Sequence, residues 1–288
     1  MNTIRKAYRA GSFYPASDRA CREQIAACLG DYQPPAEPAH VIAGIVPHAG
    51  WMFSGPTAAK VFKSFDEKAE PQTFLIFGAV HVWDIGRNAA IFAEGAWQTP
   101  CGEVEIDREF AAAILEICPD LVDNEPAAHI REHSIEVQVP FIQYLFPEAK
   151  IVPIMVNPNH AAVDVGRRIG ECLASYPTLV AILGSTDLTH YGPSFGFTPF
   201  GTGAASLAPM KANDQKIIDL ATTMKAADVV LEAEKHRNAC GAGAIAATVA
   251  AAAALGAAKG YLLEHTTSQE VMPERPASDF VGYAGIVF

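Results

Sequence analysis

The chain has 288 residues, half of them hydrophobic and 18% charged, with 21 Lys and Arg against 32 Asp and Glu for a formal net charge of −11. This composition is that of a globular protein and excludes the disordered class, while the acidic excess argues against nucleic acid or an acidic membrane as the main partner, since both require a cationic footprint. The most apolar stretch, Ala239 to Ala258, is mostly Ala and Gly and too weakly hydrophobic to span a bilayer. The opening residues from Met1 to Arg9 lack the apolar centre of a signal peptide, so a cytoplasmic protein is expected. The six cysteines (Cys21, Cys28, Cys101, Cys118, Cys172, Cys240) form no C-x-x-C pair and read as reduced thiols.

Residues 1–40 read as an arm and helix packed on a main body: Arg9 to Pro15 is turn-rich and aromatic, Asp18 to Leu29 is an amphipathic helix, and Gln33 to Pro38 is Pro-rich punctuation. His40 to Val46 is the first apolar strand. It runs into Pro47-His48-Ala49-Gly50-Trp51, after which Gly55-Pro56 is expected to open a helix to about Phe65. Phe74 to Phe77 is a second buried strand, ending in Gly78 and followed by His81. Ala89 to Phe92 is a third strand, Trp97 to Gly102 a loop, and Asp107 the cap of a helix to about Cys118. Helices are expected from Ile135 to Phe146 and Ala161 to Ser175, with a strand from Ile151 to Val156 between them.

Leu179 to Leu183 is a strand apolar on both faces that runs into the polar cluster Ser185-Thr-Asp187-Leu-Thr-His190. Gly192 to Pro209 has no periodicity and is long enough for a lid or a partner surface. Helices follow from Asn213 to Met224 and Asp228 to Glu234, then an Ala-rich helix without a polar face from Gly241 to Leu255. Tyr261 to Thr267 and Phe280 to Phe288 close the chain as strands. Strands alternating with helices of this length imply an α/β fold: one domain over residues 1–288, with a central, mostly parallel sheet covered by helices on both faces.

Ligands of open α/β sheets collect at the carboxyl ends of strands. His48, His81 and His190 each follow an apolar strand, so a common sheet brings them to one edge. Cys240 precedes the buried Ala-rich helix, where the helix dipole favours a thiolate. Two imidazoles and one anionic ligand resemble the donor set of non-haem iron sites; a sulfur donor brings copper or zinc into competition with iron(II). Asp187, three residues before His190, is placed to hold one ring nitrogen and leave the other for proton exchange. His133, in Glu132-His133-Ser134-Ile135-Glu136, is a further candidate at a helix start. His40, His129, His160, His236 and His265 read as surface residues.

Gly11-Ser-Phe-Tyr14, Pro47-His-Ala-Gly50, Gly78-Ala-Val-His81, Glu132-His-Ser-Ile-Glu136, Ser185-Thr-Asp187 with His190, Cys240-Gly241 and Tyr283-Ala-Gly285 together resemble the Memo family, also called AmmeMemoRadiSam system protein B, in order and approximate spacing. The resemblance implies a fold similar to class III (LigB-like) extradiol dioxygenases, with His48, His81 and Cys240 as metal ligands, Asp187 and His190 beside them, and iron or copper as the metal. It also places Phe13 and Tyr14 near the pocket; Trp51, His133 and Tyr191 complete the expected substrate or peptide wall. Val82 after His81 and Ala242-Gly243 after Cys240 depart from the family pattern and bear on pocket shape. Three readings follow: a metal-dependent, dioxygenase-like oxidoreductase acting on a small molecule; a peptide- or protein-binding module using the same pocket without turnover; and a hydrolase with Cys240 as nucleophile.

Overall fold

The computed structural model describes residues 3–82, 85–86 and 88–288; Met1 and Asn2 of the opening segment lie outside the described residues. The first half contains β1 (Ile4–Arg5), α1 (Asp18–Leu29), β2 (Ala43–Val46), α2 (Trp51–Lys68), β3 (Thr73–Gly78), β4 (Ala89–Ile91), β5 (Ala96–Thr99), β6 (Gly102–Glu105), α3 (Arg108–Ile117) and β7 (Val122–Asn124). It continues with α4 (Val139–Leu145), β8 (Lys150–Val156), α5 (Ala161–Leu173), β9 (Val180–Ser185), β10 (His190–Tyr191), α6 (Leu207–Thr222) and α7 (Ala226–His236). The last elements are α8 (Ala242–Ala254), β11 (Tyr261–Thr267), α9 (Ser268–Val271) and β12 (Phe280–Val287).

Strands β2, β9, β3 and β8 lie side by side and parallel at the centre of the main sheet, their apolar runs buried on both faces. The α/β class holds, but the sheet is mixed: β12 joins β2, and β4 joins β8, antiparallel, and β10 and β11 both pair antiparallel with β12. Two glycines show that helices cover both faces. A side chain on Gly44 of β2 would strike Val61 of α2, whereas one on Gly184 of β9 would strike Thr248 of α8. Gly44 lies opposite Leu183, so Gly44 and Gly184 alternate in the register and face opposite sides. Behind α8, α5 packs with its backbone almost touching: a Cβ on Gly166 would fall 2.0 Å from the Ala247 carbonyl oxygen.

Several boundaries differ from expectation for identifiable reasons. Helix α2 starts at Trp51, so Pro56 sits inside it and forfeits the backbone bond to Met52, a residue 55% exposed. The segment Trp97 to Gly102, expected as a loop, is mostly hairpin: Trp97 to Thr99 belong to β5, Pro100 and Cys101 make the turn, and Gly102 opens β6 at φ +117°. Residues 135–146 do not form one helix: a 3-10 turn at Glu136–Gln138 precedes α4, and Pro140, lacking an amide donor, occupies the first turn of the new helix. Helix α6 begins at Leu207, shortening the expected loop.

The N-terminal segment is inserted into the body more deeply than an overlying arm. β1 pairs with β5, and Arg5 is 3% exposed. Its guanidinium meets Glu136 at 2.6 Å, donates to the carbonyls of His129 (3.0 Å) and Glu132 (2.7 Å), and stacks 4.3 Å from the Trp97 ring centroid. Glu136 also accepts from the Tyr14 hydroxyl (2.7 Å) and the Arg9 amide (2.7 Å), so this buried charge is fully surrounded by donors. Residues 129–136 are thereby pinned by the N-terminal segment.

Candidate metal centre

His48 lies two residues beyond β2, His81 three beyond β3 and Asp187 two beyond β9. Val46 is level with Ser185, and Phe77 with Gly184, so all three turns emerge at the same edge. The 129–136 turn delivers His133 to the same place. Ring centroids are 5.1 Å apart for His48 and His81, 4.7 Å for His81 and His133, and 5.4 Å for His48 and His133. A nitrogen from each of these three histidines lies within 4.8 Å of those of the other two, close enough to hold one metal ion.

Cys240 reaches the cluster from the turn before α8. Its Sγ is 3.1 Å from His48 Nε2, and the Asp187 amide donates to it at 3.3 Å. The close approach depends on Gly241, where a side chain would fall 2.6 Å from the Ser185 carbonyl oxygen; the Gly241 amide instead donates to Thr186 Oγ1 at 2.9 Å.

Hydrogen bonds fix which nitrogen each ring offers. Ser185 Oγ gives its proton to the Ser134 carbonyl (2.6 Å) and accepts from Gln138 Nε2 (3.1 Å), so its contact with His48 Nδ1 (3.1 Å) must be accepted from the ring N–H. His48 Nε2 is left facing Cys240. His81 Nδ1 is 3.0 Å from Glu132 Oε1, and the His81 amide donates to Oε2 at 2.8 Å. Glu132 also accepts from the His133 and Ser134 amides, both at 2.8 Å. A carboxylate behind one imidazole and a hydroxyl behind the other orient both Nε2 atoms, the arrangement that supports metal-bound histidine.

The electrostatics are those of a thiolate among imidazoles. Burial pushes the Cys240 thiol up, but His48, His190 and His81 outweigh it and hold the thiol well below its usual range. Burial disfavours the cation on His81, yet Cys240 and Glu132 raise it to about 10. His190 is likewise raised to about 10, burial being overcome by Asp187 and Cys240. His133 goes the other way, to about 3, because burial and the neighbouring His48 and His81 all oppose its charge. Asp187 is lowered to about 2 by His48 and His190 against the effect of its burial. Asp187 Oδ1 accepts from the His48 amide (2.7 Å), while Oδ2 is 3.8 Å from His190 Nε2, too long for a hydrogen bond. Asp187 thus acts on His190 through charge and on His48 through its backbone. His190 Nε2 is shielded from solvent and has no hydrogen-bond partner.

A pocket of about 570 Å³ opens above this cluster, lined by His48, His81, His133 and His190 together with Phe13 and Phe53. The expected wall is corrected in three places. Tyr14 lies behind it, its hydroxyl committed to Glu136, and Trp51 is 2% exposed with its indole N–H on the Val137 carbonyl (3.0 Å). Tyr191 is fully buried in a separate cluster with Met210 and Phe280, and its hydroxyl braces the following loop through the Gly201 carbonyl (2.8 Å). Two histidines read as surface residues are not on the surface. His129 is fully buried with Nε2 3.1 Å from the Ala90 carbonyl oxygen and is lowered to about 3 by burial, and His265 contacts the buried Asp214 at 3.1 Å. Ser185, Gln138 and Glu132 acquire their roles only through contacts between distant segments. Of these, the short polar run at 132–136 was the one visible signal.

Among the described residues no helix is long and apolar enough to cross a membrane. A solved structure of an uncharacterized protein from Escherichia coli K12 superposes with a TM-score of 0.51 at 11% identity, covering 86% of this chain and all of that one, which shows a shared fold. A MEMO1 family protein of Thermococcus onnurineus is 38% identical over 291 residues, covering 97% of each chain. Another from Methanopyrus kandleri is 36% identical over 290 residues, covering 97% of this chain and 96% of the relative. The family model described as Memo-like protein matches residues 5–287, and the chain belongs to the Memo family.

Proposed function

We propose that this protein is a metal-dependent oxidoreductase of the dioxygenase-like kind, holding iron(II) or copper, with zinc as the competing ion, through His48, His81 and Cys240. The observation that carries this reading is the convergence of two oriented Nε2 atoms, on histidines that line the pocket, with a thiolate sulfur 3.1 Å from His48 Nε2. Imidazole and thiolate donors together suit a redox-active or borderline-soft ion and leave room for substrate. His133 is a neutral third imidazole within reach of the same point, and the geometry makes it the competitor of Cys240 for the third position.

The metal would supply redox chemistry and a positive charge to polarise a substrate oxygen. The chain's own residues supply the rest. Asp187 keeps His190, which lines the pocket, protonated at neutral pH, so its imidazolium is the proton donor of the site. Phe13, packed edge-on 4.9 Å from His133, helps exclude water. The test is elemental analysis of protein purified without added metal, as wild type and as His48→Ala, His81→Ala, His133→Ala and Cys240→Ser. Wild type is expected to carry near-stoichiometric iron or copper and the His48, His81 and Cys240 variants little. Undiminished metal in His48→Ala and Cys240→Ser refutes the assignment; loss in His133→Ala with retention in Cys240→Ser moves the third ligand to His133. Full metal with no oxygen consumption across a catechol panel favours a binding module of the same pocket instead.

A further inference from the structure

Among the described residues that line the pocket, Arg275 is the one Lys or Arg, and its guanidinium carbon lies 5.2 Å from the centroid of the Phe53 ring. Among the described residues Arg275 makes no ion pair, in a chain whose acidic groups outnumber its basic ones. The two carboxylates lining the pocket are already engaged. Asp187 Oδ1 accepts from the His48 and Ala49 amides, and Asp279 accepts from the Ser194 amide and the Ser278 hydroxyl, both at 2.9 Å. Arg275 is presented by a braced turn: its amide donates to the Met272 carbonyl at 3.2 Å, and Gln269 Nε2 donates to the carbonyls of Pro273 (3.3 Å) and Arg275 (3.1 Å). The lining also includes Phe13, Phe53, Phe195 and Val281, beside the polar Ser12, Ser268 and Ser278.

We propose that Arg275 is the anion-recognition residue of this pocket, and that the substrate class is a carboxylate monoanion on a flat apolar body, with the acid on Arg275 and the body against Phe53 and Phe13. This deepens the metal-site reading and rests on it for the statement that the occupant is a substrate. A guanidinium matches a carboxylate in geometry, both groups being planar and able to form two parallel bonds. One guanidinium fork takes one carboxylate. About 570 Å³ suits one ring with a short side chain and falls within the usual size of small-molecule sites.

The probes are 3-phenylpropanoate, its neutral isostere 3-phenylpropanamide, and phenyl phosphate, titrated calorimetrically into metal-free and metal-loaded protein. Wild type is expected to bind the acid roughly tenfold more tightly than the amide in both forms, with a preference that shrinks as salt is raised. Arg275→Gln should abolish that preference while leaving amide affinity unchanged, and Arg275→Lys should restore part of it. Because Arg275 is exposed, these variants keep the folded core. Equal affinity for acid and amide in wild type, an undiminished preference in Arg275→Gln, or no binding of either probe overturns the proposal; tighter binding of phenyl phosphate than of the acid overturns the monoanion assignment. Failure of the metal-site reading is seen separately, as absence of metal, and leaves the metal-free comparison readable.

Discussion

Glu132→Gln perturbs the site without touching an ion, and its consequences follow from four hydrogen bonds. Glu132 Oε1 accepts from His81 Nδ1, the His133 amide and the Ser134 amide, and Oε2 accepts from the His81 amide. With the new carboxamide oxygen at the Oε1 position, its NH2 group faces the His81 N–H donor to donor; turned the other way, three donors lose their acceptor. One lost charge-assisted bond at a fully buried position costs about 2–3 kcal/mol, or a fall in melting temperature of roughly 4–12 °C for a chain of this size. The effect on metal has two opposing parts. Removing the carboxylate eases proton loss from His81, which favours metal, but it also withdraws a negative charge from behind the ligand. The ion carries twice the charge of the proton it replaces, so the second effect wins, and affinity should fall about 10–100-fold. Competition against a chromophoric chelator, with thermal unfolding recorded on the same samples, measures both. A folded Glu132→Gln protein that binds metal as tightly as wild type would refute the argument that this carboxylate aims His81.

Two further outcomes follow from the same structure. His81 is protonated below about 10 in the metal-free protein, and the ion needs its Nε2 free; metal affinity should therefore rise with pH up to about 10, with proton release on loading detectable by an indicator dye near neutrality, and an affinity flat between pH 6 and 9 contradicts this. Gly166→Ala places a methyl 2.0 Å from the Ala247 carbonyl oxygen and must push α5 and α8 apart, for a loss of about 3 kcal/mol or failure to accumulate folded protein; an unchanged unfolding midpoint in calorimetry would show the two backbones are not in contact.

The parts of this architecture visible in the sequence are those written in local pattern. Uninterrupted apolar runs such as Leu179 to Leu183 mark strands buried on both sides, and polar residues just beyond them mark the sheet edge where His48, His81 and Asp187 meet. Asp107 was readable as a helix cap because its side chain acts on Phe110, three residues away. What escaped depends on partners far along the chain. Tyr14, Trp51 and Tyr191 have the composition of pocket aromatics, but the acceptors for their polar atoms are Glu136, Val137 and Gly201, and these draw the rings into the interior. His129 looks like a loop histidine until Ala90 is brought beside it. The role of Arg275 depends on which carboxylates are already committed, and no spacing rule reports that.

The last strand bears on when the centre can come into being. Gly282 of β12 bonds both ways with the turn between Asp187 and His190, receiving the Leu188 amide at 2.8 Å and donating to Thr189 at 3.0 Å. The donors themselves are drawn from positions 48, 81, 133 and 240, with no two adjacent in sequence. Three of the donors, at 48, 81 and 133, precede Cys240 by more than a hundred residues, and the turn bearing the proton donor is braced only once β12 has packed against it. The three imidazoles can therefore meet before the sulfur arrives, and the full donor set exists only when α8 and β12 are both in place.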